Sequence, residues 1–338
     1  MHAIRYLIRF FLLAACAALL HGCASPAYKV TVVAGPGSAA LGINAAGHTA
    51  GYLDTGAGIL HAFANKGAGA ADLGTLGGSG SRAWAINDAG HVVGQSDTGD
   101  GAIRAFFHDG STMTDLGTLG GTDSVARAIN NDDTVVGSAR ISGDEWRAFS
   151  YANGAMANHG TLPSSGRFYS YGYAINHDGL IGGSSSAGEY TLPEAPVHAF
   201  VRRTGGKMVD LGTFGGVYSE TFGVNDKGEA VGIAATAELL LDNAFVYSGG
   251  VLTDIGNLGG GYAQAYDINN MSEVVGVSGG ATPFRGFLYR KGGMVALDTL
   301  VEAGWTIVDA RAINDSGQIA GTGCKAAVCY AVRLDPGK

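Results

Sequence analysis

The chain contains little of what marks several common protein classes. Of its 338 residues only 7 are proline and 4 are cysteine, and charged residues make up 15%. The net charge is −8 and no basic run occurs, which argues against a nucleic-acid partner. Glycine is abundant at 57 residues, but hydrophobic residues reach 46%, so the glycines are expected in the turns of a packed fold rather than in a disordered linker.

The first 22 residues differ from the rest of the chain. Arg5 and Arg9 precede an uninterrupted apolar run at residues 10–20. Such a run is too short to span a bilayer and has the length of a signal-peptide core. No helical periodicity is found after this segment. Residues 1–22 are therefore predicted to be an export signal.

The signal segment ends in the sequence Leu-His-Gly-Cys at residues 20–23, which resembles the lipobox of bacterial lipoproteins. The resemblance implies cleavage before Cys23, acylation of this cysteine and, because Ala24 follows it, sorting to the outer membrane. Several acyl chains on one residue anchor a protein stably. Residues 23–27 are then the lipidated N-terminus and a short linker. The alternative is ordinary cleavage nearby, for example after Ala27, which would give a secreted soluble protein.

Two further cysteines follow the signal segment. Cys324 and Cys329 lie five residues apart, and in an oxidising compartment they are predicted to form a disulfide across a short loop. Two reduced core thiols are the alternative. No clustered histidines accompany these two cysteines, and no H-x-x-x-H or H-E-x-x-H pattern occurs. No metal site and no cofactor are therefore predicted.

Internal repetition is the main signal for the fold. An apolar residue followed by Asn recurs seven times at intervals of 43 to 49 residues, with Gly seven residues after each Asn and a small residue four before it. The repeated asparagines are Asn44, Asn87, Asn130, Asn176, Asn225, Asn269 and Asn314.

Two more anchors accompany each asparagine. One reads His-Ala-Phe at residues 61–63 and 198–200 and varies in the other repeats. The other reads Asp-Leu-Gly-Thr-Leu-Gly-Gly at residues 72–78 and 115–121 and is degraded elsewhere. Together the three anchors resemble the HAF-type extracellular repeats of bacteria over nearly the whole chain after the signal segment. The resemblance implies an extracellular location, and it implies no catalytic residue because the family has no established common activity.

The length of the repeat predicts a β-propeller. Four short strands are expected in the second repeat, near residues 83–86, 91–95, 104–107 and 113–116, and four strands in about 45 residues match one blade. Residues 28–338 are therefore predicted to be a single all-β domain, a seven-bladed propeller of four-stranded blades, with a β-solenoid as the alternative. The last repeat lacks its fourth strand, and residues 28–33 are predicted to complete the seventh blade beside residues 328–334 and close the ring.

Positions that break the repeat are the candidates for recognition. The loops that leave one face of a propeller carry aromatic and polar side chains suited to sugars or peptides, with packing between blades as the alternative interpretation. The repeated aspartates and asparagines are expected to be structural, because active sites are asymmetric. The candidate binding residues are Tyr169, Tyr218, Tyr262, Trp305, Arg167, Glu189, Tyr190 and Glu220.

Two functions are compatible with these patterns. The first is a non-catalytic binding or scaffold module of the cell envelope, monomeric and lipid-anchored, for a glycan, a cell-wall polymer or an envelope protein. The lack of a local catalytic motif favours this interpretation. The alternative is a propeller-type envelope glycoside hydrolase or lyase, which requires carboxylates that converge from different blades. No catalytic residue is assigned from the sequence.

Overall fold

The computed structural model describes residues 27–164, 168–188, 196–238, 241–280 and 283–337. Within them no helix is long and apolar enough to cross a membrane. The predicted export signal and Cys23 lie outside the described residues. In the described part of the chain one short 3-10 helix occupies Leu297–Thr299, and all other regular structure there is β.

The strands are β1 (Tyr28–Pro36), β2 (Ala39–Ile43), β3 (Thr49–Asp54), β4 (Leu60–Asn65), β5 (Ala70–Asp72), β6 (Gly77–Ile86), β7 (Val92–Thr98), β8 (Ile103–His108), β9 (Met113–Asp115), β10 (Gly120–Ile129), β11 (Val135–Ile141), β12 (Trp146–Ala152), β13 (Ala155–Asn158), β14 (Ser170–Ile175), β15 (Ile181–Ser186), β16 (Val197–Arg202), β17 (Val209–Asp210), β18 (Gly215–Val224), β19 (Ala230–Thr236), β20 (Asp242–Ser248), β21 (Val251–Gly256), β22 (Gly261–Ile268), β23 (Val274–Gly280), β24 (Arg285–Arg290), β25 (Gly293–Ala296), β26 (Trp305–Ile313), β27 (Ile319–Lys325) and β28 (Val328–Pro336).

Four-stranded antiparallel pairing dominates the sheets. Four separate sheets have the orders β2-β3-β4-β5, β6-β7-β8-β9, β10-β11-β12-β13 and β1-β28-β27-β26. Strands β14 to β25 form one larger sheet, in which antiparallel groups are joined by single parallel bridges between Val197 and Tyr218 and between Asp242 and Tyr262. Four-stranded antiparallel sheets fit propeller blades, whereas the coils of a β-solenoid pair in parallel.

The two ends of the described chain meet in one sheet. Strand β1 pairs antiparallel with β28, with Tyr28 opposite Pro336 and Val32 opposite Val332. The last sheet therefore takes three of its strands from the end of the chain and one from its beginning. In the adjoining β27–β28 turn, Cys324 and Cys329 are joined by a disulfide.

The phenylalanine of the His-Ala-Phe anchor fills the core of each sheet and explains a repeated glycine. Phe106 is fully buried, as are its equivalents in five other repeats. A Cβ atom on Gly94 would stand 2.7 Å from Cε1 of Phe106 and 2.0 Å from the carbonyl oxygen of Arg82. Only glycine fits this space, because real Cβ atoms do not approach a carbonyl so closely.

A buried serine links each of several sheets to the next. The hydroxyl of Ser81 accepts a hydrogen bond from the backbone N–H of Ala62 (2.8 Å) and donates one to the carbonyl oxygen of Gly74 (2.6 Å). Three other repeats make the same pair of bonds, through Ser124, Ser170 and Ser219. Buried backbone groups require such partners, so these serines hold neighbouring antiparallel groups of strands together.

The repeated asparagines form a cyclic series of hydrogen bonds. Each side-chain oxygen accepts from the backbone N–H four residues later. Each Nδ2 donates to the backbone carbonyl of the next asparagine at 2.9 to 3.3 Å, and Asn314 donates to Asn44. The turns after strands β2, β6, β10, β14, β18, β22 and β26 thus surround one mouth of a central channel.

Candidate active site in the central channel

A β-bulge in every channel-lining strand aims one side chain toward the axis. In β6, for example, the register shifts between Ala83 and Ala85, and a bulge of this kind redirects the side chain between them. The same shift precedes the asparagine in the other six repeats. The residues so placed line a cavity of about 270 Å³ and are Leu41, Trp84, Arg127, Tyr173, Phe222, Tyr266 and Arg311.

Aromatic rings at these positions form a continuous arc on one side of the channel. The ring centroids of Tyr173 and Phe222 are 5.1 Å apart, and those of Phe222 and Tyr266 are 6.1 Å apart. The ring of Tyr171 is nearly parallel to that of Tyr173 at 6.2 Å. Successive rings at these distances are in favourable contact and present an extended apolar wall.

An arginine stands at each end of this arc. The guanidinium of Arg127 lies 4.0 Å from the centroid of the Trp84 ring, and that of Arg311 lies 4.1 Å from the Tyr266 ring. Both contacts are cation–π interactions. Arg311 also forms an ion pair with Asp309 at 2.9 Å, whereas Arg127 forms no salt bridge within the part of the chain that the structure describes. Burial lowers the pKa of Arg127.

A carboxyl group surrounded by hydroxyls adjoins the arc. Glu220 Oε1 accepts hydrogen bonds from the hydroxyls of Ser184 (3.0 Å) and Tyr173 (3.3 Å), and the Tyr218 hydroxyl also bonds to this side chain. Burial raises the pKa of Glu220 above its usual range, although these hydroxyls and the charge of Arg127 act in the opposite direction. Burial, with the nearby Glu220 charge, also raises the pKa of Tyr173 and of Tyr218.

This arrangement suits proton donation. A carboxyl group whose pKa is raised by burial stays protonated at a pH where an exposed glutamate is ionised. A titratable group perturbed in this way inside a cavity is a candidate for a functional site. Glu220 is therefore the candidate general acid of the channel. The aromatic arc beside it offers a stacking surface to a sugar ring or another flat apolar group.

Five of the eight binding residues predicted from the sequence lie among the described residues, and they do not form a single cluster. Tyr218 and Glu220 meet in the hydroxyl cluster, while Tyr262 donates a hydrogen bond to Gln264 at 2.7 Å. Tyr169 lies at the edge of the arc, 5.8 Å from Tyr171 between ring centroids. Trp305 packs on Tyr330 and Lys325 of its own sheet. Arg167, Glu189 and Tyr190 lie outside the described residues.

The inward-facing ring of side chains is absent from the sequence prediction. Its signal is a position that varies strongly between an invariant small residue and an invariant Asn. Leu, Trp, Arg, Tyr, Phe, Tyr and Arg occupy it in turn, three residues before each Asn. A position that varies from repeat to repeat holds a side chain that takes no part in the contacts the repeats share. Here that side chain faces the channel.

The repeated aspartates, in contrast, stabilise local structure. Asp72 accepts a hydrogen bond from the backbone N–H of Gly74 at 2.8 Å and pairs with His61 Nδ1 at 2.9 Å. The pair of His198 and Asp210 repeats this geometry. Among the described residues no group of three or more His, Cys, Asp or Glu side chains could hold a metal ion.

Comparison with solved structures identifies the architecture. The β-propeller domain of the trilobed protease from Pyrococcus furiosus is 9% identical, with a TM-score of 0.59 over 89% of this chain and 96% of that domain. The chain has a β-propeller fold. A puromycin hydrolase (14% identity, TM-score 0.57) and a puromycin-hydrolysing peptidase from Mycobacterium tuberculosis (11%, 0.58) are also similar over 89% of the chain. This propeller spans about half of each, 52%.

No family model matches the sequence, and no curated protein matches it. At such low identities the structural likeness establishes the fold alone. The three similar propellers belong to a protease and two hydrolytic enzymes.

The sequence-based prediction of a non-catalytic binding or scaffold module is therefore wrong. It relied on the lack of a local catalytic motif. The channel instead brings its titratable groups together from separate repeats, as Tyr173 and Glu220 show. A motif search along the chain does not detect such a group, because its members are 47 residues apart.

Proposed function

We propose that this protein is a propeller-type enzyme of the bacterial envelope that cleaves a glycan, as a glycoside hydrolase or lyase, with Glu220 as the proton donor. The observation that carries the proposal is the position of Glu220. Its carboxyl group has a raised pKa and lies among three hydroxyls, next to an aromatic wall. Cleavage of a glycosidic bond requires a proton for the leaving oxygen, and an acid of raised pKa supplies it.

The neighbouring residues account for binding and orientation. Sugar rings present apolar faces that stack on aromatic side chains, and Tyr173, Phe222 and Tyr266 form such a surface. The hydroxyls of Ser184 and Tyr218 fix the rotamer of Glu220 through their hydrogen bonds. A fixed proton donor beside a stacked ring is the geometry that general acid catalysis needs.

Replacement of Glu220 tests this proposal. Glu220→Gln preserves the shape of the side chain and removes the proton, so turnover should fall by about 100-fold or more. Turnover by the wild type should also fall as the pH rises through the raised pKa of Glu220. Glu302→Gln, on an exposed site, is the matched control. The assay follows new reducing ends and the ultraviolet absorbance of unsaturated products on a panel of polysaccharides, which separates hydrolysis from elimination. Unchanged turnover by Glu220→Gln would contradict the assignment.

A peptide is the second candidate substrate. It is favoured by the similar structures, which include a domain of a protease and a puromycin-hydrolysing peptidase. The same variants are therefore assayed on a peptide library. Cleavage of peptides by the wild type, without cleavage of any glycan, would replace the first proposal by the second.

The proposed enzyme is a closed seven-bladed propeller. The cyclic bonding of seven asparagines, from Asn44 around to Asn314 and back, supports seven blades about one axis. Two observations support closure by the N-terminal strand. Strand β1 pairs with β28, and the Ser38 hydroxyl accepts a hydrogen bond from the backbone N–H of Ala331 at 3.0 Å.

We further propose that the protein is exported and anchored by lipid on Cys23, and that it belongs with the HAF-type repeats. The apolar run at residues 10–20 and the lipobox-like end at residues 20–23 support the anchor. Incorporation of labelled palmitate in the bacterium should be lost in Cys23→Ser. Equal labelling of this variant would refute the anchor without affecting the proposal for the channel.

A further inference from the structure

Arg127 is a cation that forms no salt bridge among the described residues, inside an acidic protein. The chain carries a net charge of −8. Burial is the main cause that lowers the pKa of Arg127; the charges of Tyr173 and Glu220 act in the opposite direction, and those of Arg311 and Arg82 add to the lowering. Of the arginines Arg82, Arg127 and Arg311, only Arg311 has a carboxylate within ion-pair distance among the described residues. A buried charge is costly unless it is paired. Arg127 therefore brings to the channel a positive charge that no ion pair among the described residues neutralises.

We propose that the channel takes a glycan that carries carboxylate groups, such as a uronic-acid oligosaccharide, and that Arg127 binds the carboxylate of the sugar residue lying on the aromatic arc. This inference rests on the proposed glycan-cleaving function and adds the chemical class of its substrate. It assigns Arg127 to binding and leaves proton donation to Glu220.

The geometry around Arg127 fits a planar carboxylate. Its Cζ atom lies over the face of the Trp84 ring, 4.0 Å from the centroid. Stacking on one face leaves the N–H groups at the edge of the plane available, and two parallel N–H donors match the two oxygens of a carboxylate. Lysine would provide charge at this place without the planar fork. The adjacent rings of Tyr173 and Phe222 can support the sugar ring that bears the carboxylate.

Binding of an anion at Arg127 has a consequence for Glu220. The positive charge of Arg127 is one of the influences that hold down the pKa of Glu220, against the larger effect of burial. A bound carboxylate neutralises that charge and excludes water from the channel, and both changes raise the pKa of Glu220 further. The acid therefore becomes more fully protonated when an acidic substrate is bound, and binding is coupled to proton uptake.

Calorimetric titration of the full-length protein tests this coupling and the substrate class together. The probes are a trimer of galacturonic acid and the same trimer as its methyl ester, in which each carboxylate charge is replaced by a neutral ester with one added methyl group. The acid should bind at least about tenfold more tightly than the ester, because a hydrogen-bonded charge pair contributes that much. Arg127→Gln should remove the difference, and Arg127→Lys should restore only part of it. Arg290→Gln, which changes an arginine outside the channel, should bind like the wild type.

Proton uptake is measured by repeating the titration in two buffers of different ionisation enthalpy. The observed enthalpy should depend on the buffer for the wild type with the acidic trimer, and this dependence should vanish in Glu220→Gln. A structural role for Arg127 would not produce such a pattern. The melting temperature of Arg127→Gln is also compared with that of the wild type. If Arg127→Gln does not fold normally, the affinities of Arg127→Lys for the acid and the ester decide whether Arg127 binds the carboxylate.

The two proposals fail in different ways. Equal affinity for the acid and the ester, or equal loss of discrimination in Arg290→Gln, overturns the assignment of Arg127 while Glu220-dependent turnover of neutral glycans can still stand. Discrimination that depends on Arg127, without turnover of any glycan, supports the anion site and overturns the enzymatic proposal. Turnover of acidic glycans that requires both residues supports both.

Discussion

The carboxyl group of Asp267 should make the folded protein less stable as the pH rises toward neutrality. Asp267 lies two residues before Asn269, where the other six repeats have only glycine or alanine. Its two oxygens accept hydrogen bonds from the backbone N–H groups of Ile268 and Ile313, each at 2.9 Å. Burial raises its pKa from 3.8 to about 7, even though these two bonds act in the opposite direction.

The sign of the effect follows from proton binding. Between the unfolded pKa of 3.8 and the folded pKa of about 7, the folded state holds a proton on Asp267 that the unfolded state has lost. Stability therefore falls as the pH rises through this window. A shift of about three pKa units corresponds to about 4 kcal/mol, at about 1.4 kcal/mol for each pH unit. This figure is an upper bound, because the residue also borders the channel.

Urea unfolding at several pH values in this window measures the free energy of unfolding. Subtracting the values for Asp267→Ala from those for the wild type separates the effect of Asp267 from that of the other titrating groups. Asp267→Ala installs the residue that four other repeats have at this place. Asp267→Asn is the second variant, because it keeps the size of the side chain. Both variants should lack the downward slope and should gain stability relative to the wild type between the acidic and the neutral end. A slope that persists unchanged in both would refute the reasoning.

Two further predictions concern the frame of the propeller. Gly94→Ala should lower stability by about 3 kcal/mol or more, since its Cβ would stand 2.0 Å from a carbonyl oxygen, whereas Gly35→Ala, with nothing within 4 Å, should change it by less than about 0.5 kcal/mol. Deletion of residues 28–33 should lower the melting temperature by several degrees, because it removes most of the strand that pairs with β28. Thermal melting followed by circular dichroism checks both predictions. A wild-type melting temperature for Gly94→Ala or for the deletion variant would contradict the role assigned to Gly94 or to residues 28–33.

Much of the fold could be predicted because each local signal agrees with the next. In the second repeat, strands were expected near residues 83–86, 91–95, 104–107 and 113–116, and they occur as β6, β7, β8 and β9 at nearly these positions. Strand β6 begins earlier, at Gly77, because the glycine-rich end of the third anchor is itself extended and pairs with Thr98. Turn residues and alternating apolar residues mark the centre of a strand better than its ends.

The prediction of the site was less complete for a physical reason. Tyr218 and Glu220 were recognised because they lie in a predicted loop between two blades, but Tyr173 and Arg127 were not. Their positions face the axis only because a bulge turns them there, and no feature of the amino-acid pattern reports a bulge directly. The pKa of Glu220 depends on burial among side chains from other repeats, so it arises only when those strands are assembled.

The separation of frame and site also explains how a symmetric fold can hold an asymmetric centre. The asparagines, the core phenylalanines and the buried serines bind one repeat to the next, so a change in any of them disturbs two sheets. The bulge position contacts the channel instead, and one repeat can carry Arg127 while another carries Phe222 within the same backbone. The side chain at this position can therefore change with little effect on the ring. Asp267, in contrast, lies one residue beyond the bulge, at a position that belongs to the frame, and it bonds to the neighbouring sheet. A carboxyl group at such a position lowers the stability of the fold at neutral pH.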